Sequence, residues 1–154
     1  MTAVSLKKIL TDANKNNYAV AGLVVLAWDD ALAFIKAADE TGVPIILQAG
    51  PSCRAHTPVP ILGKMFRYLA EQTKTHVCCH IDHGYTFREC AEGIDSGFTS
   101  VMFDGSKLSL KDNIKKTSKI VKRAHDAKVS VEGEIGFVGY ANGKSSEGTL
   151  PIDA

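Results

Sequence analysis

The sequence is as informative in what it lacks as in what it holds. It has no charge imbalance: 18 Lys and Arg against 17 Asp and Glu leave a net charge of +1. A balance of this kind gives no electrostatic reason to expect nucleic acid or an anionic membrane as a partner. No stretch approaches the roughly 18 apolar residues of a membrane span. The first ten residues form a short amphipathic pattern carrying Lys7 and Lys8, without the apolar core of a signal peptide. The four cysteines, at 53, 78, 79 and 90, form no CxxC pair, and Cys78 and Cys79 are adjacent in an apolar run. They read as buried, reduced thiols of a cytoplasmic protein rather than as disulfides. No repeat or low-complexity tract is present. No GxGxxG follows the first apolar run, which weighs against a dinucleotide-binding fold.

What remains is ordinary in bulk and regular in order. Apolar residues make up 45% of the chain and charged residues 23%, as in a soluble globular protein, and the length fits one domain. A helix is predicted from Ser5 to about Lys15, broken by Asn16-Asn17. Tyr18 to Leu26 is an almost continuous apolar run, the mark of a strand covered on both faces. A helix follows over Trp28 to Thr41 with Ala31, Phe34, Ile35 and Ala38 inward, and Gly42 and Pro44 end it. Further strands are predicted at 44–48, 76–80, 100–103 and 129–133. Between the second and third lie a proline-rich loop and a helix carrying Ile61, Leu62, Met65, Phe66 and Leu69. Thr86 and Glu89 form a capping box for the next helix. Ser109 caps the one after, which carries Ile114, Val121 and Ala124. A loop rich in Gly, Ser and Asn spans 136–148, with Glu147 a candidate mobile acid or base. These are βα units about 25–30 residues apart, as a parallel sheet with crossover helices requires. They are compatible with an open doubly wound sheet or with part of an eight-stranded barrel.

The polar residues fall at strand C-terminal ends, where both architectures place their sites: Gln48, Asp82, His83, Asp104 and Glu134. The segment His80-Ile81-Asp82-His83-Gly84 puts two imidazoles and a carboxylate within four residues. In an extended strand His80 and Asp82 share a face and His83 points away. A turn at Gly84 would let His83 swing over the mouth of the sheet. Imidazole is a good zinc ligand, and a neighbouring carboxylate can orient it or transfer a proton. Asp104 ends the fourth strand; Glu132 and Glu134 share a face of the fifth. A carboxylate at the end of an apolar strand is costly to bury unless paired or on a metal. Taken singly, Asp104 could cap its loop and a glutamate could meet a lysine. Taken together, three successive strand ends offering His, Asp and Glu point to one cation site. His56, His76 and His125 read as surface or core-edge residues, and the basic face of Lys115, Lys116, Lys119, Lys122 and Arg123 as solvated.

Five segments, in order along the chain, resemble those of the class II, metal-dependent fructose-bisphosphate and tagatose-bisphosphate aldolases. They are Asn17-Tyr18-Ala19-Val20, Ile46-Leu47-Gln48, His80 to Gly84, Gly97 to Ser106 and Val131 to Gly136. The HxDHG and GFTSVMxDGS pair is the specific one. The resemblance implies a (β/α)8 TIM barrel, of which this chain supplies about the first five βα units as one incomplete domain, 1–154. It implies Zn2+-dependent retro-aldol cleavage of a ketose bisphosphate, with a phosphorylated ketose as substrate, no nucleic acid or membrane partner, and a homo-oligomeric full-length form. His83 would be a catalytic zinc ligand, Asp82 the acid/base at the substrate C4 hydroxyl, and Asp104 and Glu134 part of a nearby cation position that His83 also serves.

The sequence departs from the family over Gly22 to Trp28, where an asparagine-containing segment is usual, and around Gly50, where serine is common. Both positions line the mouth of the site and bear on substrate identity. Two further zinc-binding histidines and much of the phosphate-binding surface come from later strands in the family. Residues 1–154 alone are therefore expected to be inactive and, with two sheet edges unpaired, to associate. The alternative functions are a noncatalytic half-barrel acting through a partner or itself, and another metal-dependent sugar-phosphate lyase or isomerase.

Overall fold

The computed structural model describes residues 2–136; Glu147 and the Leu150–Ala154 segment lie outside the described residues. The elements are α1 (Leu6–Asn16), β1 (Ala21–Val24), α2 (Trp28–Thr41), β2 (Ile45–Ala49), α3 (Pro51–His56), α4 (Val59–Gln72), β3 (Val77–Gly84), α5 (Phe87–Asp95), β4 (Ser100–Phe103), α6 (Leu110–Asp126) and β5 (Ser130–Gly133). The five strands form one sheet in the order β1-β2-β3-β4-β5, and every pair is parallel. An open doubly wound sheet reverses its strand order at a switch point. Here each strand lies beside its predecessor without reversal, which is the winding of a (β/α)8 barrel wall.

Local chemistry explains the boundaries. Ser5 caps α1 by accepting from the Lys8 N–H, and Asn17 ends it in the left-handed conformation at φ 55°. Asp30 accepts from the Leu26 and Ala27 N–H groups at 3.0 Å each, and Gly42, at φ 68°, closes α2. Thr86 accepts from the Glu89 N–H as expected of an N-cap, while the Glu89 carboxylate accepts from the Thr86 hydroxyl and from the Tyr85 N–H, one residue before the cap N–H that a capping box would use. Ser109 caps α6 through the Asp112 N–H.

The register separates the two faces of the sheet. Leu23, Leu47, Cys79, Ile81, Val101, Phe103 and Val131 face the helical layer, where they pack with Phe66, Phe98 and Ile120. Phe66 and Phe98 meet edge to face at 5.6 Å. Complete burial of such side chains stabilises by about 1.5–3 kcal/mol each. The other face carries Gly22, Gln48, His80, Ser100 and Glu132, so alternation along the strands delivers polar groups to one side.

Three expectations are corrected. The first strand is shorter than 18–26, and Gly22 and Val24 are exposed rather than covered on both faces, because no second layer packs on its inner side among the described residues. The proline-rich loop contains a helix, α3, which starts with Pro51 at its first position, where the missing N–H is harmless. Ile114 on α6 is 58% exposed; the buried stripe of that helix is Asn113, Ile120 and Ala124.

Candidate active site

The site is built around an irregularity in β3. His80 pairs with Ser100 and Ile81 with Val101, but the next pair is Gly84 with Phe103. Two residues, Asp82 and His83, thus face only Met102, the signature of a β-bulge. His83 itself takes up the turn at φ 54°, a left-handed conformation uncommon outside glycine. This corrects the assignment of the turn to Gly84. Gly84 is needed for a different reason: a Cβ there would lie 2.9 Å from both Cys90 Sγ and the Met102 carbonyl oxygen.

The bulge turns His83 toward the ends of the next two strands. Its Nδ1 lies 3.0 Å from Asp104 Oδ2 and 3.5 Å from Glu134 Oε2. Ligand atoms of these three residues all lie within 4.8 Å of one another, and among the described residues they form the one His/Cys/Asp/Glu group of three able to hold a metal ion. Asp104 caps its loop, as the simpler reading of it expects. Oδ1 accepts from the Ser106 N–H and hydroxyl, capping the loop, and Oδ2 is left for His83. Among the described residues Glu134 meets no lysine. Its main-chain carbonyl accepts from Asn113 Nδ2 at 2.7 Å, while side-chain Oε2 is buried with no hydrogen-bond partner among the described residues.

The electrostatics favour positive charge at this point. Burial opposes protonation of His83, but the Asp104 hydrogen bond and the charges of Asp82, Asp104 and Glu134 outweigh it, so its pKa is raised above 6.5. Burial also pushes Asp104 up, yet the bonds from Ser106 and the contact with His83 prevail and hold it below 3.8. Glu134 is raised above 4.5 by burial and then by the Asp104 charge. An orphaned carboxylate oxygen beside a second carboxylate and an imidazole is a donor set that a cation would satisfy.

Asp82 lies next to this cluster but outside it. Its Oδ1 is 3.5 Å from Gln48 Nε2, and a Cβ at Gly50 would lie 3.4 Å from its Oδ2. His80 and Glu132 form a separate pair. The His80 imidazole is 1% exposed, with Nδ1 2.9 Å from Ser100 Oγ and Nε2 3.5 Å from Glu132 Oε2. His56 and His125 are exposed, and His76 is exposed 3.4 Å from Lys8 Nζ. Arg123 of the basic face is ion-paired with Asp95 rather than only solvated.

Class II fructose-bisphosphate aldolases are described by a family model that matches residues 4–152. The chain belongs to this family. It is 39% identical over 142 residues to a fructose-bisphosphate aldolase of Staphylococcus epidermidis, covering 90% of this chain and 50% of that protein. It is 36% identical to the fructose-bisphosphate aldolase of Ureaplasma parvum, covering 96% and 52%. Among solved structures it resembles the YdjI aldolase of Escherichia coli K12, with a TM-score of 0.82, 27% identity, and coverage of 89% and 52%. The fold is also that of a fructose-bisphosphate aldolase from Campylobacter jejuni, at a TM-score of 0.75 and 22% identity, covering 86% and 46%. The chain spans about half the length of the curated relatives it matches.

Within this family member, two residues that position the site were not anticipated. Asn113 holds the Glu134 carbonyl. Its signal is weak, an asparagine inside a helix, where its short amide is otherwise unfavourable. Arg54 donates to the carbonyl oxygens of Ala49, Asp82 and His83. Its signal was the Gly50-Pro51 helix start, which places Arg54 one turn inside α3.

Proposed function

We propose that this chain carries the cation-holding and proton-transfer part of a zinc-dependent class II aldolase, an aldehyde-lyase of carbohydrate metabolism. The reaction is the reversible cleavage of a ketose bisphosphate, fructose 1,6-bisphosphate, to glycerone phosphate and glyceraldehyde 3-phosphate. The observation that carries the reading is the convergence of His83, Asp104 and Glu134 from three successive strand ends. Nitrogen and carboxylate oxygen donors suit zinc, and the unbonded Glu134 Oε2 is a free ligand atom. When bound, zinc would act as a Lewis acid, polarising the ketose carbonyl and stabilising the charge left by carbon–carbon cleavage.

The chain's own residues supply the rest. His83 holds the cation, and Asp104 and Glu134 complete a position beside it. Asp82, at the strand end with its Oδ2 beside Gly50, takes the proton of the substrate C4 hydroxyl and returns it in the reverse direction. Gln48 steadies Oδ1 of the same carboxylate. The four free, buried cysteines support a reducing, cytoplasmic setting.

The test uses a full-length form. His83→Ala is expected to lose zinc and turnover together. Asp82→Ala is expected to keep zinc and lose about 10²–10⁴-fold in kcat. An Asp82→Ala enzyme within a few-fold of the parent would refute the proton-transfer role, and borohydride trapping of substrate on a lysine would refute the metal mechanism.

A further inference from the structure

Helix α3 carries one charged side chain inward. The Arg54 side chain is 7% exposed, and its nearest carboxylate, Glu89, is 4.0 Å away. Three of its N–H···O contacts go to main-chain carbonyls instead: Ala49 at the end of β2, and Asp82 and His83 in the β3 bulge, the last at 2.9 Å. Burying a guanidinium without a bidentate carboxylate is unfavourable, so its retention needs a reason. The bulge supplies one. With one residue out of register, the ladder to β4 cannot satisfy every carbonyl of the bulged segment, and buried carbonyls need partners. Only a planar fork of donors reaches several diverging oxygens at once.

The two bulge residues whose carbonyls it holds are the two whose side chains leave the regular alternation. We propose that Arg54 is a positioning residue. By bridging the Ala49, Asp82 and His83 carbonyls it fixes the left-handed turn at His83, which aims the imidazole at Asp104 and Glu134 and sets Asp82 beside Gln48. The consequence for cation binding rests on the functional reading above; the consequence for the imidazole does not. A lysine at 54 keeps the charge but not the fork, so it fills the space without holding the bulge.

The test compares Arg54→Lys and Arg54→Met with Ser5→Ala, which removes the α1 cap near the opposite end of β3. Two quantities are read in each: the His83 ring signals by 15N NMR without metal, and the Co2+ dissociation constant by calorimetry. In Arg54→Lys the His83 signals are expected to move to those of a free, solvated imidazole and Co2+ affinity to fall about 10–100-fold. Ser5→Ala should change neither. In the unsubstituted chain, the Arg54 Nη protons should exchange slowly and couple through hydrogen bonds to the Asp82 and His83 carbonyl carbons, a measurement that needs no variant. Unchanged His83 signals in Arg54→Lys, or a freely rotating guanidinium in the unsubstituted chain, would overturn the proposal. Absence of Co2+ binding in the unsubstituted chain would overturn the cation reading instead, while the ring signals still decide the role of Arg54.

Discussion

Acidification should weaken the fold through His80, and the effect can be sized. Its imidazole is 1% exposed, and its pKa is pushed down from 6.5 to about 4, first by burial and then by the nearby charges of His83 and Arg54. Glu132 lies 3.5 Å from Nε2 but makes no hydrogen bond to it, and burial and the Asp82 charge raise its own pKa, so burial of the imidazole prevails. The unfolded chain takes up a proton at His80 as pH falls through 6.5; the folded chain does so only near 4. The stability contributed by a neutral His80 is therefore fully present above pH 6.5 and is lost as pH falls toward 4. At about 1.4 kcal/mol per pKa unit, the gap is worth about 3 kcal/mol, a large part of the stability of a small protein. His80→Gln removes the titration. Urea unfolding of both proteins at pH 7 and pH 4 cancels the remaining groups, and the parent-minus-variant difference should fall by about 3 kcal/mol between them. A change below about 1 kcal/mol, or a His80 NMR titration near pH 6.5, would refute the reasoning.

Glu134→Gln should stabilise the metal-free chain at pH 7.5 by about 1 kcal/mol, because it removes a negative charge that is partly buried beside the Asp104 carboxylate. Since burial and Asp104 raise the Glu134 pKa, the penalty is absent below pH 4.5 and grows as pH rises through the raised value; a variant less stable than its parent at pH 7.5 in urea unfolding would contradict this. Gly63→Ala should cost more than about 2 kcal/mol, since its Cβ would overlap the Ser96 carbonyl where α4 crosses α5 and main chain cannot yield cheaply; thermal unfolding reads it directly.

The legible part of this protein was what local chemistry dictates. The caps at Thr86 and Ser109, the Gly42 stop and the positions of Asp104 and Glu134 at strand ends all follow from side-chain hydrogen bonding and alternation, which act over a few residues. The choice between barrel wall and doubly wound sheet did not follow from periodicity, because both need the same βα spacing; strand order decided it. Covered faces were misread where burial depends on a neighbouring layer: β1 is apolar yet exposed, and Ile114 lies outside the buried stripe of α6. In the site, Glu132 and Glu134 looked equivalent by alternation, but the end of β5 sends one to His80 and the other to His83. The bulge that aims His83 depends on pairing with β4 and on Arg54 from α3, contacts distant in sequence that no local pattern encodes.

The central claim is that His83, Asp104 and Glu134 hold one divalent cation. A Co2+ titration of the metal-free chain, followed by its visible absorption and by competition with Zn2+, tests it most directly. One saturable site is predicted, displaced by Zn2+ and lost in His83→Ala. An undiminished site in His83→Ala, or no site in the parent, would contradict the claim.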